Sequence, residues 1–361
     1  MVKRKLRVLI VGDGKSNIIS ENFIDFLYQK NNFVFDIISF KKNFSRKYYR
    51  KVYSIPEVLT NSFKFFHSLR FFVLFIIYGS RIIRKYDIVH FHMFYSGIFF
   101  LTPFFKDNII LTIWGSDFLR SNKLKNFFLS YTLKKVKIVT CTSSDLANEL
   151  VKSYPNIKNK LQVIPYILKY VGLINDNYSK RSIFKKTRIV VGSNSNYAQN
   201  HLKILNAIKL SKIKKKSIHI ILPFSYGRGS ENYKKKVYNY ASSIGCTFEI
   251  INDRLNDDDL VELRLNSDIF INLQQSDQLS GAMLETLCAN NIVITGKWLN
   301  YKSLNELGIK FYEINNFSEL PNILNTINFF SKPKNRKIIT NMYSPLKTLN
   351  KWSDIYESIK T

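Results

Sequence analysis

Two Rossmann-like, doubly wound α/β domains are the architecture this sequence predicts, and three observations carry that expectation. At 361 residues the chain is long for a single core. Short apolar runs recur, each followed by small or polar residues and then a helical pattern, as in a parallel sheet with covering helices. The pattern fades once, over residues 166–185, and then restarts.

In chain order, Leu6–Val11 reads as a strand, followed by Gly12-Asp13-Gly14 and a helix near Ile18–Lys30. Phe33–Phe40 is the next strand, an aromatic helix covers about Ser62–Lys85, and Ile88–Phe91, Ile109–Ile113 and Ile138–Thr142 follow as strands. Leu161–Ile164, stopped by Pro165, closes the first half. The second half starts with Arg188–Val191 and Gly192, then a helix from Asn200 to Leu210. Strands follow at Ile218–Leu222, Thr247–Ile251, Ile269–Leu273, Ile292–Thr295 and Lys310–Glu313. A final helix, Leu349–Lys360, contains Trp352 and Tyr356. The expected organisation is therefore a first domain over 1–165, a linker over 166–185, a second domain over 186–345 and a C-terminal helix over 346–361. Ligands of such sheets sit beyond the carboxyl ends of the strands, so both domains are expected to face a cleft.

Composition narrows the function. An apolar content of 45% excludes wholesale disorder. Cys141, Cys246 and Cys288 are far apart, which excludes a disulfide framework or zinc pair and fits a reducing cytosol. The N-terminus runs into a strand without a signal-peptide pattern. The longest apolar segment, Phe71–Tyr78, is closed by Arg70 and Arg81 and is too short for the roughly 20 residues of a membrane span. The excess of 55 Lys+Arg over 26 Asp+Glu gives +29, which points to nucleic acid, anionic lipid or phosphate-bearing small molecules, unless it reflects codon bias alone.

Strand Ile269–Leu273 leads into Asp277-Gln-Leu-Ser-Gly-Ala-Met-Leu-Glu285, two acids flanking a Ser-Gly pair. Together with Asp87-Ile-Val-His-Phe-His92, Thr112-Ile-Trp-Gly-Ser-Asp117, Val191-Gly-Ser-Asn194 and the terminal tryptophan-bearing helix, this segment resembles the E-x7-E region of GT-B nucleotide-sugar glycosyltransferases. More narrowly, Gly192-Ser-Asn-Ser, Asn200-His201, Leu222–Gly227 and Tyr233 resemble bacterial 4-acetamido-4,6-dideoxygalactose transferases. The resemblance implies a GT-B fold whose last helix crosses back to the first domain. It implies a nucleoside-diphosphate sugar as donor substrate, no other cofactor and no metal. By the same resemblance, Glu285 begins a helix and accepts the ribose hydroxyls, Asp277 meets the donor sugar, and Ser280 and Gly281 bring backbone N–H groups to the diphosphate. The sequence departs from the family in having Asp277 for the first glutamate, and Asn290 and Ile292 where glycine and proline are usual. Asn290 suits a left-handed helix cap. The usual Arg and Lys of the diphosphate site are missing after Gly192, and Ser193, Asn194, Ser225, Tyr226 and Arg228 are the candidates to replace them.

In the first domain, Gly12-Asp13-Gly14 lacks the third glycine of a dinucleotide fingerprint, Asn17 standing there. In the GT-B reading this loop faces the acceptor. His90 and His92 share one face of a strand with Phe91 opposite; His92 is either a partner of the reacting hydroxyl or a satisfied buried imidazole. Asp117 is either a general base or a helix cap. Asp257-Asp-Asp259 reads as a helix start capped by Asn256 rather than as a metal-binding D-x-D. Trp114 and Trp352 read as packing residues. The leading function is transfer of a sugar to a lipid-linked or glycan acceptor in surface polysaccharide or glycolipid synthesis. The rivals are a basic nucleic-acid-binding protein and a GT-B epimerase. Lys41–Lys51, with six cations and no acid, precedes an aromatic stretch bearing Phe63, Phe65, Phe66, Phe71 and Phe72. That pairing predicts peripheral attachment to the anionic inner leaflet of the cytoplasmic membrane.

Overall fold

The computed structural model describes residues 4–11, 32–39, 49–54, 79–119, 121–165, 168–227, 229–277, 279–327 and 333–359. Gly12, Asp13, Gly14, Arg228, residues 41–48 and most of the aromatic stretch lie outside them. The chain divides into two compact units, Met1–Ile167 with Pro345–Thr361, and Leu168–Ser344.

The first unit holds β1 (Leu6–Val11), β2 (Phe33–Ser39), β3 (Lys51–Ser54), β4 (Ile88–Phe91), β5 (Ile109–Ile113), β6 (Ile138–Cys141) and β7 (Leu161–Val163), all parallel, in the order β3-β2-β1-β4-β5-β6-β7. The period-2 rule divides their side chains between two cores. Leu9, Val11, Val89, Phe91, Leu111, Ile113, Val139 and Cys141 share one core. Val8, Ile10, Phe33, Phe35, Ile37, Ile88, Ile110 and Ile138 share the other, which Leu349, Trp352, Ile355 and Tyr356 of the final helix complete. Helix Pro345–Ser358 thus belongs to the first unit's sheet. Strand β3 was not expected from the sequence. Asp36, fully buried in β2, creates it: its carboxylate accepts from the Lys51 amide at 2.9 Å, from Tyr86 Oη at 2.7 Å and from Arg50.

The second unit holds β8 (Thr187–Val191), β9 (Ile218–Pro223), β10 (Thr247–Ile251), β11 (Ile269–Asn272), β12 (Ile292–Gly296) and β13 (Tyr312–Ile314), parallel, in the order β10-β9-β8-β11-β12-β13. Strand order reverses at β8, so the crevice between β8 and β11 is the switch point. The expected aperiodic linker requires correction. Residues Lys169–Asp176 form a helix that buries Val171 and Ile174. It is fastened by Tyr170 Oη, which donates to Asp257 at 2.9 Å, and by a Lys169–Asp257 ion pair. Its apolar spacing covers barely two turns, too little to register as periodicity.

Candidate active site

At the switch point, the loops after β8 and β11 are joined by hydrogen bonds. Gln199 Nε2 donates to Gln274 Oε1 at 2.9 Å, Gln275 N to Ala198 O at 2.8 Å, and Asn200 Nδ2 to Leu273 O at 2.8 Å. Gly192 ends β8 with φ +68°, and a Cβ there would lie 2.9 Å from His201 Nε2. Both the backbone and the space therefore require glycine. Ser193 N donates to Gln199 Oε1 at 3.0 Å, and Asn194 Oδ1 accepts from Asn196 N at 2.9 Å, which fixes the turn. The loop after β9 locks onto it: Ser195 N donates to Tyr226 O at 2.8 Å, and a Cβ on Gly229 would stand 2.1 Å from Ser195 O. Ser225 is half-buried beside it and Tyr226 is exposed.

His201 is fully buried behind this turn. Its Nδ1 pairs with Tyr233 Oη at 3.0 Å, and burial pulls its pKa down to about 4, against a smaller upward pull from the Asn194 backbone. The residues of the narrower resemblance, Gly192 to Ser195, His201, Phe224 and Tyr233, therefore pack together.

Across the crevice, helix Gly281–Cys288 starts at Ser280, whose hydroxyl caps Met283 N at 3.3 Å. Asp277 Oδ2 accepts from Tyr301 Oη at 2.8 Å, and Tyr301 in turn accepts from Asn272 Nδ2 at 3.1 Å. Glu285 does not begin the helix, as the resemblance implied it would. It is the helix's fifth residue, 7% exposed, and its Oε2 accepts from Arg264 Nε at 3.0 Å. Its Oε1 faces Gly281, where an added Cβ would lie 3.8 Å away. One carboxylate oxygen thus faces the glycine that opens the helix, while a buried guanidinium pairs with the other. Asn290 closes the helix at φ +55°, the left-handed conformation expected of it.

Arg264 was missed in the sequence, although one signal was there: it shares the buried helix face of Val261 and Leu265. Tyr301, Asn272 and Gln199 were also missed, having no motif around them. Asn256 does cap helix Asp257–Leu265, accepting from Asp259 N at 2.8 Å. Among the described residues, no group of three His, Cys, Asp or Glu side chains is placed to hold a metal.

In the first unit, Asp117 is 2% exposed and uses both oxygens on backbone, accepting from Trp114 N at 2.9 Å and Phe94 N at 3.1 Å. Burial raises its pKa, and those bonds lower it in part. It ties the turns after β4 and β5 rather than capping a helix start. His92 lies between Trp114, stacked at 5.4 Å, and His90 at 4.9 Å, and burial lowers its pKa to about 4. His90 uses both ring nitrogens: Nδ1 meets Tyr356 Oη at 2.8 Å and Nε2 meets Thr112 Oγ1 at 2.7 Å. Trp114 and Trp352 both pack, the latter 5.0 Å from His90.

Residues 29–166 match the family described as Glycosyltransferase Family 4. No curated protein sequence matches the chain. Among solved structures, a glycosyltransferase from Rickettsia africae superposes with a TM-score of 0.70 at 16% identity, covering 99% of both chains. HepE of Anabaena, solved with UDP and glucose, gives 0.72 at 12% identity over 98% of this chain and 100% of its own. WaaG, a glycosyltransferase of lipopolysaccharide biosynthesis, gives 0.63 at 11% over 97% and 99%. The fold is GT-B. In the second GT-B domain, Asp277 and Glu285 bracket a helix N-terminus at the switch point. In the first, His92 and Asp117 stand at the carboxyl ends of β4 and β5.

Proposed function

We propose that the protein transfers a sugar from a nucleoside-diphosphate donor to a lipid-linked or glycan acceptor, in surface polysaccharide or glycolipid synthesis. The observation that carries this reading is the pair of acids at the switch point. Glu285, with one oxygen turned to Gly281 and the other held by Arg264, suits two vicinal ribose hydroxyls. Gly192 to Asn194 and the amides at Ser280–Gly281 suit the diphosphate, because helix N-termini and turn amides attract anions. Asp277, whose carboxylate accepts from Tyr301, suits a hydroxyl or amide of the donor sugar. His92, neutral at pH 7, is the first domain's candidate for the acceptor hydroxyl, with Asp117 holding the turn around it. The nucleotide found with HepE and the pathway of WaaG support a nucleotide sugar and a cell-surface product. A cytoplasmic site, peripheral on the inner leaflet, would join a soluble donor to a lipid-linked acceptor.

Thermal shift tests the reading. UDP, dTDP or GDP should stabilise the protein by about 2.7 kcal/mol at a hundredfold excess over Kd. Stabilisation by oligonucleotides and by none of the three nucleotides would place the +29 charge on nucleic acid instead. Turnover should survive EDTA, since helix termini and side chains offset the diphosphate charge. Loss restored by Mg²⁺ or Mn²⁺ would reject that part.

A further inference from the structure

From Gly192 to Leu202 the sequence has no Lys or Arg, so the segment assigned to the diphosphate brings no fixed cation of its own. Directly behind that turn stands His201. It opens helix His201–Leu210, is fully buried, and holds Nε2 2.9 Å from where a Cβ on Gly192 would lie. Among the described residues that nitrogen has no partner at hydrogen-bond geometry. The Asn194 backbone nevertheless favours the charged form of the ring.

The surroundings of the ring suit either protonation state. Tyr233 Oη, 3.0 Å from Nδ1, is a hydroxyl, able to donate to the neutral imidazole and to accept from the charged one. Tyr233 belongs to helix Glu231–Ser242, and burial pushes its own pKa up to about 12, so it stays neutral itself. Phe224, after β9, meets the ring edge-on at 4.9 Å. Among the described residues no charged side chain acts on His201, and burial is what keeps it neutral. An anion brought close to such a group favours its protonated form, because the anion's field offsets the cost of burying the charge.

We infer that His201 supplies the diphosphate's cation: when a nucleoside-diphosphate sugar settles on turn Gly192–Asn194, the imidazole takes one proton from solvent and becomes an imidazolium behind the turn. It is a positioning residue, acting through the turn without touching the phosphates. The inference rests on the donor placement proposed above and adds a regulation to it. Because the proton is held in the bound state and not in the free one, binding strengthens as the pH falls.

Calorimetry of the full chain tests it, with UDP-glucose, dTDP-glucose and GDP-glucose as probes, in buffers of different ionisation enthalpy. These sugar diphosphates have no phosphate group of their own that titrates between pH 6 and pH 8. Proton uptake by the wild type should rise from pH 8 to pH 6, towards about one per nucleotide sugar bound, with affinity gaining up to about tenfold per pH unit. His201→Gln keeps an amide N–H near the Nε2 position and cannot titrate, so it should bind without uptake and with a flat pH dependence. Wild-type binding without uptake at pH 6 would overturn the inference and leave the donor reading intact, and that result needs no variant. Equal uptake by the His201→Gln chain would assign the proton to another group and overturn it as well. If none of the three nucleotide sugars binds, the donor reading and the inference fall together.

Discussion

Arg264 and Glu285 form a buried ion pair, and this constrains any test of the ribose contact proposed for Glu285. Both are buried, so Glu285→Ala would leave an uncompensated guanidinium, at a cost of about 3–5 kcal/mol. Lost nucleotide affinity in that variant could then come from misfolding alone. Glu285→Gln keeps an acceptor and nearly the same volume. It should retain most of the stability, measured by denaturant midpoint, while lowering nucleotide affinity measured by calorimetry. Unchanged affinity would remove Glu285 from the donor site. Asp277 has a different dependence: its orientation comes from Tyr301, whose hydroxyl lies 2.8 Å away. Tyr301→Phe should lower kcat more than it raises KM for the donor, provided the Asp277 contact strengthens in the transition state. An effect confined to KM would make Asp277 a ground-state contact.

Strands β4, β5 and β6 carry a buried polar row of His90, Thr112 and Thr140 on one face, the last two with Oγ1 atoms 2.7 Å apart, and Tyr356 Oη of the final helix meets His90. Burial depresses the pKa of His90 well below its ordinary value and of His92 and His201 to about 4. The unfolded chain binds these protons near pH 6.5 while the folded one does not. Stability is therefore complete above pH 6.5 and falls as the pH drops towards 4, by about 1.4 kcal/mol per pH unit for each imidazole. Urea midpoints at pH 7, 6 and 5 should show this slope, and His201→Gln should flatten it by one proton's share. Equal midpoints at pH 7 and 5 would contradict the neutral assignment.

The last helix makes the first unit depend on the end of the chain. Leu349, Trp352, Ile355 and Tyr356 complete one of that unit's cores. At about 1.5–3 kcal/mol for each large side chain buried, their loss is comparable to the whole stability of a domain, roughly 5–15 kcal/mol. Deleting residues 345–361 should therefore abolish the first unit's cooperative unfolding in scanning calorimetry. A second transition from Leu168–Ser344 should remain. A truncated chain with an unchanged thermogram would mean that the helix is dispensable.

The sequence by itself determined both parallel sheets, because a strand buried on two faces is an apolar run whose neighbours need not be known. It also determined the Asn256 and Asn290 helix ends, which depend on φ and on one local hydrogen bond. It placed Gly192 at the end of a strand, and Asp277, Ser280 and Gly281 in the loop and helix start after another, through motif alone. Only the tertiary structure decided what those groups experience. Strand β3 exists because Asp36 meets the Lys51 amide, and helix Lys169–Asp176 because Asp257, 88 residues away, holds it. Glu285, expected to begin a helix, is the fifth residue of one and half of a buried ion pair with Arg264, and Asp117 accepts hydrogen bonds from the turns after β4 and β5. The physical reason is range. Periodicity and capping are properties of a few adjacent residues, whereas burial, ion pairing and pKa depend on whatever the fold brings alongside.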